Sequence, residues 1–181
     1  LNPSFVNTIK TNILTLVNDK SKDIVEKVLL DAVGKNAKDV GLRSMVFDFY
    51  VLSGNFYEAL VQCKSIDKVN NEDGGRVFQY ALTLRNNKEY KMSNKALDYV
   101  IESHEGSPYY MRAFQEKAVN GEMQAFEALP VDTVGIREAV TAYDDLFAKF
   151  GRRPVFYDAM YRKAKLLAFY LFELDPALKE L

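Results

Sequence analysis

From end to end of the chain, apolar residues recur every three or four positions, and no alternating stretch exceeds four residues. A chain patterned this way buries its apolar stripes by packing helix against helix, so the fold class it predicts is all-α. Phe5, Ile9, Ile13, Leu16 and Val17 mark a first helix, opened by Asn2-Pro3-Ser4. Ile24, Val25, Val28, Leu29 and Ala32 mark a second, with Ser21 and Asp23 at its start and Gly34 at its end. A third covers about 42–52, and Gly54 with Asn55 separates it from a fourth over about 57–66. The cluster Asn70-Asn71-Glu72-Asp73-Gly74-Gly75 predicts a turn. Helical spacing then resumes over 77–84, 93–101, 109–129, 136–150 and 155–174. With 181 residues, these helices make one domain or a short array of repeats.

Charge and residue counts narrow the function classes. The chain carries 24 basic and 25 acidic side chains, so no bulk field draws it to nucleic acid or to an anionic membrane. One cysteine excludes an internal disulfide and a cysteine-based zinc site. One histidine leaves metal or triad chemistry to His104 or to carboxylates alone. The densest apolar stretch, 166–174, is too short to span a bilayer. The chain starts at Leu1 rather than at a methionine, which is expected of a mature fragment. Asp175 before Pro176 reads as a helix start close to the far end, and predicts that the natural protein continues.

Internal repetition separates a bundle from an array. The segment 50–60 reads Tyr-Val-Leu-Ser-Gly-Asn-Phe-Tyr-Glu-Ala-Leu. An aromatic residue (Tyr50) closes one helix, Gly54 makes the turn, and Phe56-x-x-Ala59 opens the next; Cys63 and Ile66 continue its apolar stripe. Ala96 and Ala139 open two more such helices, 43 residues apart. Each is followed by proline and an aromatic residue, at Pro108-Tyr109 and Pro154-Val155-Phe156, and then by alanines at 113 and 118 or at 159 and 164. This order resembles the tetratricopeptide repeat (TPR) superfamily, in particular bacterial periplasmic and outer-membrane-assembly TPR proteins. The spacing departs from the family's period of about 34: 37 residues separate Ala59 from Ala96, and the first-helix tryptophan, leucine and glycine are mostly missing.

The resemblance implies a right-handed α-solenoid of stacked antiparallel helical hairpins. It divides the chain into a divergent hairpin at 1–39, repeats at 40–73, 74–106 and 107–153, and a final, truncated repeat at 154–181. The third repeat carries an insertion near 121–135, where Met123, Phe126 and Leu129 form a small apolar stripe.

No constellation of side chains points to catalysis or to a metal. His104, in Glu102-Ser103-His104-Glu105, sits at a helix end where the dipole favours it. Cys63 lies on an apolar stripe and reads as a buried thiol. The 70–75 turn lacks the distal glutamate of a calcium loop, since the twelfth position from Asn70 is Ala81. Gly151-Arg152-Arg153-Pro154 reads as a solvated turn before a helix. No cofactor is called for.

Carried over from the family, the concave face consists of first-helix residues: Ser44 and Asp48, Gln79 and Arg85, Gln115 and Glu116, then Tyr161, Arg162 and Lys165. The family's clamp for C-terminal carboxylates needs lysine and asparagine where Ser44 and Asp48 stand, so a chaperone-tail adaptor is not expected. The function expected is a non-enzymatic scaffold for a protein or peptide partner, in a bacterial envelope complex. Two alternatives use the same features: a self-assembling homo-oligomer module, or a helical domain that binds a small molecule or lipid in its aromatic-rich hollow.

Overall fold

A computed structural model describes residues 21–180, and within them nine α-helices and one short 3-10 turn. The helix expected over 5–17 lies outside the described residues. The chain divides into two compact units, Leu1–Val77 and Phe78–Leu181.

In the first unit, α1 (Lys22–Lys35), α2 (Val40–Leu52) and α3 (Phe56–Asn70) pack in sequence order, and the first turn of α4 (Gly75–Asn86) closes it. Asp39 caps α2, accepting from the Leu42 amide at 3.0 Å. The Tyr50 hydroxyl donates to Glu26 at 2.9 Å and ties α2 to α1. Gly54 holds φ +72° between α2 and α3, the left-handed conformation that a tight inter-helix turn needs. Ala59, Cys63 and Ile66 are completely buried along one stripe of α3, as their spacing predicts. The 70–75 segment is a turn held by its own acids. The Asp67 carboxylate accepts from the Gly74 amide at 2.9 Å, and Glu72 takes two hydrogen bonds from Arg76, each 2.7 Å.

The second unit continues α4 into α5 (Tyr90–Ser103), α6 (Tyr110–Phe126), α7 (Thr133–Phe150), a 3-10 turn at Pro154–Phe156, α8 (Tyr157–Phe169) and α9 (Leu174–Glu180). Its core gathers Ala118, Ile136, Ala139, Tyr143, Leu146, Phe156, Ala159 and Leu166. Alanines at 113, 118, 159 and 164 are all buried, which lets neighbouring helices approach closely. A polar relay crosses the packing: Asn120 donates to Ser93 at 2.8 Å, and Ser93 donates to the Ala81 carbonyl at 2.8 Å.

Contacts also skip one helix. Phe78 of α4 lies 5.3 Å from the ring of Tyr109, at the start of α6. Arg85 of α4 pairs with Glu116 of α6, and Glu122 of α6 meets Arg162 of α8 at 3.4 Å. Hairpins stacked one on the next produce this pattern, first helix on first helix. Among the described residues the chain is all-α.

Two helix ends differ from the sequence reading. Gly34 does not end α1, which runs to Lys35 and is closed by Asn36. The apolar run read as one helix over 155–174 breaks after Phe169. Phe172 adopts φ +57°, and the Leu171 and Glu173 amides turn back to the Leu166 and Leu167 carbonyls. A new helix, α9, then starts at Leu174.

Candidate functional site

The break after Phe169 creates the most distinctive surface of the second unit. The inward face of α8 is filled by Ala159, Lys163, Ala164, Leu166 and Leu167. A second apolar stripe nevertheless runs along its outward face through Tyr161, Ala168 and Phe169, where a solvated helix would carry polar residues. On α9, Leu174, Ala177 and Leu178 stand at the matching i, i+3, i+4 spacing. Together they line a groove of about 190 Å³ with Ala164 and Lys165. Its floor is made of small residues (Ala164, Ala168, Ala177) and its walls of large ones (Tyr161, Phe169, Leu174, Leu178). Phe169 is 69% exposed and Leu178 71% exposed. Small floors and large walls leave room for a bulky apolar side chain from outside.

A buried ionic network fixes α9 against α8 and so sets the groove's width. Lys163 is nearly inaccessible and contacts Asp144 at 2.6 Å and Glu180 at 2.5 Å. Arg152 reaches Glu180 at 2.9 Å. Burial works against the Glu180 charge, but hydrogen bonds from Arg152 and Lys163 outweigh it and hold the carboxyl below its ordinary value. Arg152 also lies over the Phe147 ring at 5.2 Å, so this half of the Gly151-Arg152-Arg153-Pro154 run has partners inside the unit.

The nine contact residues expected from the sequence are placed in several settings. Tyr161 and Lys165 line the groove. Arg162, on the same helix, turns the other way: it binds Asp158 at 2.8 Å and approaches Glu122, which also accepts from Tyr143 at 2.8 Å. Desolvation opposes the Arg162 charge, yet the Asp158 hydrogen bond and the Glu122 field raise its pKa. Arg85 and Glu116 are paired with each other. Gln79 is exposed on α4, and Gln115 is half-buried on α6. Ser44 and Asp48 lie half-buried on α2 in the first unit. Phe169, Leu174 and Leu178 are contact candidates that the repeat pattern does not single out. The signal for them is a surplus of apolar residues on a helix whose buried stripe is already complete.

A second hollow, of about 380 Å³, has Lys88, Tyr90 and Glu127 in its lining. Lys88 and Tyr90 both contact Glu127, at 2.7 and 3.3 Å. The insertion stripe is divided: Met123 and Phe126 pack on the core, Phe126 at 4.9 Å from Tyr170, while Leu129 is exposed. Cys63 is buried, and desolvation pushes its thiol up to about 12. His104 follows the last residue of α5, its ring edge-on to Tyr99 at 5.2 Å. Among the described residues no group of three or more side chains is arranged to hold a metal, and no helix is long and apolar enough to cross a membrane.

No family model matches the chain, and no curated protein matches it. Solved structures similar to it include the MamA RS-1 ArsTM double mutant, at 11% identity and a TM-score of 0.48, covering 98% of this chain and 89% of that one. Another is a point variant of a Podosopora anserina kinesin light chain with nearly identical TPR-like repeats, at 12% identity and a TM-score of 0.44, covering 98% and 88%. A further structure of that kinesin light chain shows 13% identity and a TM-score of 0.44, covering 98% and 90%.

Proposed function

We propose that this chain is a non-enzymatic scaffold that binds a protein or peptide segment, and that the α8–α9 groove is a principal contact. The observation that carries this reading is the second, outward apolar stripe of α8, matched by the exposed stripe of α9. Contiguous apolar surface of this kind is costly in water and marks an interaction site. Tyrosine and phenylalanine at its rim suit the role of anchor residues. Lys165 beside the stripe favours a segment that pairs apolar residues with an acidic one. Ser44, Asp48, Gln79 and Gln115 extend the contact surface in this reading, and the resemblance to envelope TPR proteins suggests a bacterial envelope complex as its setting.

The test is affinity capture from native extract with the wild-type chain beside Phe169→Asp and Leu178→Asp. Both side chains are exposed, so the folded state should tolerate the changes within about 0.5 kcal/mol. The expected result is loss of the captured partner, with affinity reduced at least about tenfold, on the order of the 2 kcal/mol of a buried anchor. Unchanged capture by both variants would remove the groove from the account.

A further inference from the structure

Tyr110 and Phe114 stand one turn apart at the start of α6, and Phe150 ends α7. Their ring centroids are 5.4 Å (Tyr110–Phe114), 5.8 Å (Tyr110–Phe150) and 5.2 Å (Phe114–Phe150) apart. The corresponding interplanar angles are 79°, 87° and 70°. Three faces that are pairwise close to perpendicular form the inner corner of a box. The Lys149 ammonium occupies that corner, over all three rings: 4.5 Å from the Phe114 centroid, 5.5 Å from Tyr110 and 5.8 Å from Phe150. The corner is anchored, because Phe114 and Phe150 pack on the core and Phe150 lies 6.2 Å from buried Phe156.

Lys149 is an imperfect occupant of this corner. A primary ammonium has three N–H groups to satisfy, and ring faces supply no strong acceptor. Among the described residues no ion pair includes Lys149, and the residue is exposed, so water must meet those donors. Each methyl added to an ammonium removes one N–H and keeps the charge, and a quaternary group has none, so the same three faces hold it with less lost hydration. We propose that Tyr110, Phe114 and Phe150 form a binding site for a quaternary or methylated ammonium group, kept closed by Lys149. The site is separate from the α8–α9 groove and stands whether or not the groove binds a partner.

Titration with tetramethylammonium chloride tests this directly, followed through the ring proton resonances at constant ionic strength. The neutral isostere 3,3-dimethyl-1-butanol serves as control. Lys149→Ala should bind tetramethylammonium about tenfold tighter than wild type, the scale of one desolvated cation–ring contact. Adding Phe114→Leu, or Tyr110→Leu if the first does not fold, should abolish that gain. Trimethyllysine peptide and phosphocholine then distinguish the source: the tighter of the two assigns the group to a protein partner or to a small molecule. Equal affinity of wild type and Lys149→Ala, equal binding of the neutral isostere, or binding that survives the ring substitutions overturns the proposal.

Discussion

Single side chains in this protein show how burial decides chemistry. Glu122 keeps a carboxyl in the interior because Tyr143 donates to it and Arg162 faces it. Burial first, and then the Glu122 charge, raises the Tyr143 pKa, which keeps the phenol protonated as a donor to Glu122. Cys63 follows the same logic without a partner charge strong enough to reverse it. Its thiol ionises at about 12 in the folded chain and at about 8.5 in the unfolded one. A group whose folded pKa is raised contributes its stability below the unfolded value and loses it as pH rises. Unfolding titrations between about pH 8 and 11 should therefore show stability falling in the wild type, and falling less in Cys63→Ala. A thiol reagent at about pH 8 should label Cys63 only as fast as the chain unfolds; immediate labelling would contradict the buried assignment.

At the scale of elements, periodicity is enough to place the helices, because each must bury one stripe and spacing reveals it. The turn at Gly54 is legible for a similar reason: glycine takes the left-handed conformation of a tight inter-helix turn at no steric cost, and it stands where one helix closes and the next opens. The break after Phe169 is legible only from its far side, where Asp175-Pro176 marks the start of α9. Its left-handed residue is Phe172, and the apolar pattern runs through it without interruption. The groove depends on that break, so the sequence locates Tyr161 and Lys165 but not Phe169, Leu174 and Leu178. The pairing of Arg85 with Glu116 is hidden too, since their 31-residue separation carries no local signal. The seven-residue α9 is too short to hold as an isolated helix and relies on the Lys163–Glu180–Arg152 network. The Glu180 carboxyl is held below its ordinary value, so its contribution is present above the unfolded carboxylate pKa of about 4.3 and is lost as pH falls further. Glu180→Gln should cost on the order of 2 kcal/mol at about pH 7, the worth of hydrogen bonds to a charged group. That gap should shrink below about pH 4, with amide exchange in α9 rising first; a gap that is constant with pH would contradict the network's role.

On the scale of the whole molecule, near-neutral charge gives no bulk field, and one histidine and one cysteine leave few side chains for metal or triad chemistry. Both compact units are all-α among the described residues, and the second leaves apolar side chains facing outward on its last two helices. The central claim is that these side chains meet a partner. It is tested most directly by a photo-crosslinking residue placed at position 169, with the same label at position 52, an equally exposed apolar site on α2, as control. The account predicts one discrete protein adduct from position 169 and none from position 52, with a mass of twice the chain identifying a second copy as the partner. Identical labelling at both positions, or no adduct at position 169, would contradict it.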